Sequence, residues 1–403
     1  MPLTFDPRFL ENTDLPLKGL RVLELSHMIM GPVTGLILAD LGAEVVKVEP
    51  VQGDRTRQLK GAGTGFFSVF NRNKQSLAID LKTAQGKDIV RTLALKADFF
   101  VENFKDDSLK SLGLDYESLK NENPRLIYLS LKGFGSGPYK QRTALDEVVQ
   151  MMGGMAHVNG GNGTPQRVAP SANDILGGTF AVVGALAALN DRHTSGKGKH
   201  IRAGLFETNL LMVSQFIAQY QLTGTPQPPM AAERKPAWGI YDIFETADNR
   251  VFVAVVSDVQ WRNFAKEFLS SEWAADPRLQ TANDRQANRS WLVPAVAEIL
   301  KTWKTEPLCA KLEALGLSFG SIRQPHDLLE DVHLKQGGGL LHNVMPNGQT
   351  ASAGALPIEF DGRKFGKRSD PPAIGANTQA ILQGLGLSQE AIAQLHQAGI
   401  VAT

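Results

Sequence analysis

The sequence predicts an α/β protein, with a large Rossmann-like domain built on a parallel sheet and a smaller α+β domain. Three observations predict it. Strand and helix signals alternate over the first two hundred residues, a proline-rich break follows near residue 225, and a strand hairpin with trailing helices comes after the break. The length of 403 residues agrees, because single hydrophobic cores stop growing at about 250–300 residues.

RVLELS (21–26) reads as a buried strand, and PVTGLILADLGA (32–43) as a helix with Pro32 at its start. Proline is tolerated there because the first N–H groups of a helix have no internal partner. EVVKVE (44–49) is a second strand, which completes a βαβ unit of a parallel sheet. SLAIDL (76–81), DFFVENF (98–104) and RLIYLSLKGFG (125–135) continue the strands. Thr83 opens a helix through GKDIVRTLALKA, and a short helix is expected near YESLKNEN. From Asp174 to Arg192 the chain is apolar on nearly every face, which predicts a buried helix. LFETNLLMVSQFIAQYQL (205–222) is a further helix. TGTPQPPMAAERKPAWG marks the boundary, and IYDIFET with RVFVAVVSD forms a hairpin around Ala247–Asn249. Helices run to about residue 316, and the tail from Asn377 is helical again.

Bulk chemistry excludes several functions. A formal charge of +1 and a pI near 7.8 give no reason to expect nucleic acid or an anionic membrane as partner. One cysteine, Cys309, excludes an internal disulfide and a cysteine-built metal cluster. The eight histidines show no metal-ligand spacing, so no metal is expected. The first residues, MPLTFDPRFLENTD, lack the apolar core of a signal peptide, and no apolar run approaches the roughly 20 residues that span a bilayer. A cytoplasmic protein is expected. The G-x-G-x-x-G, G-x-S-x-G and P-loop patterns are all missing, which argues against a nicotinamide cofactor, an elbow-type hydrolase and a nucleotide-hydrolysing loop.

Asp174 is the most informative carboxylate. It stands in PSANDILGGTF, in the first turn of the apolar helix, with Gly177 and Gly178 one turn later. One reading is a helix-capping aspartate that answers the dipole. The other is a nucleophile toward a thioester, held ionised by the helix and reached past the two glycines. His27 ends the first strand, at the edge where open α/β sheets bind ligands. Arg57 in GDRTR is a candidate anion contact, as are Lys74 and Lys82 around the third strand.

Several blocks together resemble the class III CoA-transferases, the group of formyl-CoA and carnitine CoA-transferases, to which α-methylacyl-CoA racemases are related. They are LKGLRVLELSHMIMGPVTGLILADLGAEVVKVEP, the GDxxR of Gly53, Asp54 and Arg57, FFSVFNRNKQSLAIDLKTAQGKDIV, VENF (101–104), SLKGFGSGPY (130–139) and GKGKHIRAGLFET (196–208). The resemblance implies a large domain over 1–205 completed by 365–403, a linker at 206–224, a small domain at 225–330 and a return linker at 331–364. It implies two such chains interlocked as rings in a homodimer. It implies coenzyme A or acyl-CoA as substrate, with no tightly bound cofactor, and Asp174 as the nucleophile. Position by position it assigns Ile29, Met30, Ile79, Lys82, Asn103, Phe104, Lys105 and Leu112 to the CoA site. His27, Arg57, Asp146 and Glu147 are candidates for the carboxylate substrate, with Arg234 and Lys235 as possible partners of a distal carboxylate.

Departures narrow the substrate. A glutamine expected after the first strand is Ile29, an arginine before the next LG is Ser111, and an expected glycine-rich loop reads MAAERKPAWG. These argue against oxalate and formate and toward succinyl-CoA with a dicarboxylate. Leu145 stands where the racemases carry a histidine before the aspartate. Racemisation needs two acid/base groups across the α-carbon, so transfer is favoured over a racemase, and the intact Asp174 argues against a non-catalytic CoA-binding protein.

Overall fold

The computed structural model describes residues 6–161, 163–230 and 236–403. The chain forms two compact units, Met1–Pro229 with Asp331–Thr403, and Met230–Glu330. The stretches expected as linkers, 206–224 and 331–364, fall within the larger unit.

In the larger unit the elements run β1 (Arg21–Leu25), α1 (Met30–Asp40), β2 (Glu44–Glu49), α2 (Phe66–Phe70), β3 (Lys74–Ile79), α3 (Ala84–Leu95), β4 (Phe99–Glu102), α4 (Asp106–Leu112), α5 (Tyr116–Leu119), β5 (Ile127–Lys132), α6 (Asp146–Met152), α7 (Met155–Asn159), α8 (Ala172–Ser195), β6 (His200–Gly204) and α9 (Leu205–Thr223). Their strands make a sheet in the order β3-β2-β1-β4-β5-β6, with Val401–Ala402 added antiparallel beyond β3. The pairs from β3 to β6 are all parallel. The strand order reverses between β1 and β4, and the crevice outside the carboxyl ends of these strands is where such sheets take ligands.

Parallel sheets are covered on both faces, so their strands read as nearly continuous apolar runs. Val22, Val45, Phe99, Val101, Ile127 and Leu129 pack on one face with residues of α1 and α8. Leu23, Val48, Leu77, Phe100 and Tyr128 pack on the other with α3 and the C-terminal helices. Thr83 caps α3 by accepting from the Gly86 N–H, as its position predicts.

The strand edges near the crevice carry buried charge. Glu24 on β1 sits between Lys47 on β2 (3.3 Å) and Lys74 on β3 (2.8 Å), and Lys47 also meets Asp54 at 3.0 Å. All four side chains are essentially out of water. Burial pushes the Lys74 ammonium down, and Glu24 only partly restores it, leaving it at about 8. This network joins three strands to the loop after β2.

The helix from Asp174 departs from its expected full burial. α8 buries Gly177, Gly178, Ala181, Val182, Ala185 and Ala188 but exposes Ile175, Leu176, Phe180, Val183 and Leu186. Its 24 residues are long and apolar enough to cross a bilayer by length and composition, which the sequence reading had not expected of any segment. In the fold it packs against α1, β5, β6 and α9.

The smaller unit holds an antiparallel sheet in the order β7 (Ile240–Glu245), β8 (Arg250–Val255), β9 (Ser318–Ser321). Trp261, Phe264, Leu292, Val296, Leu308 and Leu312 from its helices pack on Val251 and Val253.

Candidate active site

The crevice at the reversal of strand order is built by the loops after β1 and β4. His27 and Asn103 fasten them together. The His27 N–H donates to Asn103 Oδ1 (3.1 Å), and Asn103 Nδ2 donates to the His27 carbonyl (2.7 Å). The His27 ring lies 5.1 Å from the Phe104 ring. Burial holds the His27 imidazole below its ordinary pKa, although Asp54 pulls the other way. Lys132 braces the same loop, with its ammonium at 2.8 Å from Glu102 and 3.0 Å from Asp106, and bonded to the Phe104 carbonyl. Met28 takes a left-handed backbone with φ of 64°, which a side chain tolerates poorly. It turns the chain from the end of β1 into α1.

α8 brings its first turn to the N-terminus of α1. Gly177 and Gly178 explain how close the two helices come. A Cβ on Gly177 would lie 2.7 Å from Met30 Cε, and one on Gly178 would lie 2.8 Å from the Met30 carbonyl oxygen. The glycines therefore admit helix α1, not a bulky ligand as the sequence reading expected. Thr34 Oγ1 donates to the Gly178 carbonyl at 3.3 Å across this contact.

Asp174 is not the cap of its helix. Ser171, at the N-cap, makes no side-chain cap bond. The N–H groups of Asn173 and Asp174 donate instead to Asp146 Oδ2, at 2.7 and 3.1 Å. Asp146 is buried and belongs to α6, so one helix caps another. Asp146 Oδ1 in turn accepts from Gln150, whose Oε1 accepts the Val168 N–H at 2.8 Å. Asp174, half-buried, keeps its carboxylate for other uses. Burial first, and then the charge of Asp146, lift its pKa from the ordinary 3.8 to about 7, against the pull of Arg167 and the Met30 N–H.

The other predicted positions separate into two groups. Ile29 ends the loop after β1 and Met30 opens α1, both buried; Asn103, Phe104 and Lys105 stand on the loop after β4; Ile79, also buried, ends β3 and Lys82 lies exposed just beyond it. Leu112 closes α4. Arg57 does not reach into open space. It pairs with both Glu49 oxygens (2.9 and 2.6 Å), donates to the Pro372 carbonyl and lies 3.7 Å over the Phe67 ring. Lys74, too, is spent on Glu24 rather than open to a phosphate. Asp146 serves the α8 backbone, and Glu147 is exposed and paired with Arg167 at 3.1 Å. Arg234 and Lys235 fall outside the described residues. Sequence reasoning missed Gln150 and Arg167. Arg167 stands in a polar loop, GTPQRVAP, with no periodicity to single it out.

A doubly wound sheet with its loops at the strand reversal, and a half-buried carboxylate of raised pKa beside them, is the layout of an α/β ligand-binding site. The chain belongs to CoA-transferase family III, whose model matches residues 17–378. It is an acyl-CoA:carboxylate CoA-transferase, with CoA thioesters as substrates. It is 32% identical to a succinyl-CoA–D-citramalate CoA-transferase of Chloroflexus aurantiacus over 96% of this chain and 98% of that one. It is 31% identical to a succinate–glutarate CoA-transferase of Agrobacterium fabrum, covering 93% and 96%. A crystal structure of a CaiB/BaiF family protein from Brucella suis superposes with a TM-score of 0.79 at 33% identity, over 92% of this chain and 99% of that one.

Proposed function

We propose that Asp174 carries the transferred group, with succinyl-CoA as donor and a dicarboxylate as acceptor. One observation supports this above the rest. A first-turn aspartate that a buried neighbour has relieved of capping is left with its carboxylate toward the Met30 N–H, at the crevice end of α1. A carboxylate oxygen of Asp174 attacks the donor thioester carbonyl, the C–S bond breaks, and the CoA thiolate leaves a mixed anhydride. The thiolate attacks the aspartyl carbonyl, which releases the donor acid and forms an aspartyl-CoA thioester. The acceptor carboxylate attacks that thioester and displaces the thiolate. The thiolate then takes the acceptor's acyl group and restores Asp174. One thioester is broken and one is made, so the exchange is close to neutral in free energy.

Partial burial supports this chemistry, because an anhydride survives only where water is scarce. CoA lies along the crevice loops, against Ile29, Met30, Asn103, Phe104 and Lys105, with Ile79, Lys82 and Leu112 further along. The relatives named for citramalate and glutarate favour dicarboxylates. The exposed apolar residues of α8, with Leu210, Leu211 and Ile217 on α9, form a surface that an isolated chain would leave wet. They support a homodimer.

The test is to incubate the protein with succinyl-CoA, quench with hydroxylamine and map the modified peptide. The label is expected on Asp174. Asp174→Asn is expected to fold, bind CoA and transfer nothing, since an amide is a poor nucleophile. A label elsewhere, or full activity in Asp174→Asn, refutes the proposal.

A further inference from the structure

Two carboxylates, Asp174 and Asp146, already meet at the first turn of α8. A substrate with a second carboxylate adds further negative charge. Like charges this close repel strongly where water is partly excluded. Recognition of such a substrate therefore requires a cation at the site. Lys47, Lys74, Arg57 and Lys132 are each tied to their own acids.

Arg167 is differently placed. A chain of hydrogen bonds holds it next to the first turn of α8. Asp146 binds the Asp174 N–H, Gln150 donates to Asp146, and Gln150 accepts from Val168, the neighbour of Arg167. The guanidinium is anchored on its own loop by Nε to the Val168 carbonyl (3.2 Å) and Nη2 to the Ala169 carbonyl (2.9 Å). Nη1 points at Glu147 Oε2, 3.1 Å away. The Arg167 side chain is 32% exposed and that of Glu147 is 53% exposed. An ion pair this open contributes little to stability, so another carboxylate can displace Glu147 at little cost. The charge of Arg167 reaches Asp174, since it lowers that residue's pKa.

We propose that Arg167 is the specificity residue for the distal carboxylate of donor and acceptor, with Glu147 as the resident counterion that the substrate displaces. This rests on the reading of Asp174 as the reacting group. Arginine suits the task because its planar fork pairs with a carboxylate through two parallel N–H bonds, while two other N–H groups stay on the loop. A lysine would keep the charge and lose the fork.

Succinyl-CoA and butyryl-CoA make the decisive pair, because they differ by a carboxylate in place of a methyl group. Their affinities are to be measured by calorimetry on the Asp174→Asn protein, which should not turn them over. Succinyl-CoA is expected to bind about tenfold tighter than butyryl-CoA. Adding Arg167→Met should erase that preference and leave butyryl-CoA affinity unchanged, which also reports intact folding. Arg167→Lys should keep part of the preference. Glu147→Gln should strengthen succinyl-CoA binding about threefold, by removing the competitor. A preference that survives Arg167→Met, an equal loss for both thioesters, or no preference at the outset overturns the inference. If Arg167→Met does not fold, the Arg167→Lys and Glu147→Gln results decide, and no change in either refutes it. Hydroxylamine labelling of the wild-type protein fails or succeeds independently, so an error about Asp174 is distinguishable from an error about Arg167.

Discussion

Replacing Asp146 by Asn tests how the fold sets the reactivity of Asp174. Asparagine keeps an oxygen for the N–H groups of Asn173 and Asp174 but removes the charge. Burial is the larger cause of the rise from 3.8 to about 7, and Asp146 the second. Asp146 supplies the smaller of the two upward pushes, taken as on the order of one unit, or about 1.4 kcal/mol. The nucleophile must be ionised, so kcat/KM for the acyl-CoA should rise through about pH 7 in the wild type and level off above it. kcat/KM reports groups of the free enzyme, which is the state described here. In Asp146→Asn the midpoint should fall by about one unit, so the variant loses less of its rate at pH 6 than the wild type does. Stopped-flow release of CoA thiol with hydroxylamine present, from pH 5.5 to 8.5, measures both profiles. An unmoved midpoint, or an upward shift, would refute the assignment of Asp146 as the charge that raises Asp174.

Two further outcomes follow from the same geometry. Because Asp174 holds its proton more tightly in the folded chain, stability is lost as pH rises from its unfolded value of 3.8 toward about 7, then stays level. Asp174→Asn should therefore be more stable than the wild type at pH 8, by roughly 1–3 kcal/mol after discounting solvent screening, and differ little from it at pH 4. An equal effect at both values by scanning calorimetry would contradict it. Gly178→Ala places a methyl 2.8 Å from the Met30 carbonyl, an overpacking that costs about 1–3 kcal/mol. It should also slow acylation by moving the Met30 N–H away from Asp174. A variant as stable and as fast as the wild type would show that α1 and α8 are not locked as described.

Much of the fold was legible because its signals are local. β1, β2, β4 and β5 follow from apolar runs of strand length, and Thr83 marks the start of α3 by its own hydroxyl. Helix α4 was missed, since DDSLKSL is short and mostly polar. The exposed face of α8 was missed because an apolar pattern cannot say whether its partner is the same chain or solvent. Arg57 and Lys74 read as free cations for a similar reason. Their acids, Glu49 and Glu24, lie 8 and 50 positions away: the turn after β2 folds Arg57 back onto Glu49, and strand pairing brings Lys74 to Glu24.

The sequence by itself determined the class of sheet, the hairpin of the smaller unit and the family blocks, through propensities and periodicities that act over a few residues. It also singled out Asp174, without deciding between a cap and a reacting group. Only the tertiary structure decided that helix capping falls to Asp146, 28 residues earlier, and that Gly177 and Gly178 exist for contact with Met30. It alone brought the charge of Arg167 to bear on Asp174 and paired Arg167 with Glu147. The physical reason is that charge and hydrogen bonding act through space. Which acid meets which base depends on how distant segments pack, and a sequence pattern records only neighbours along the chain.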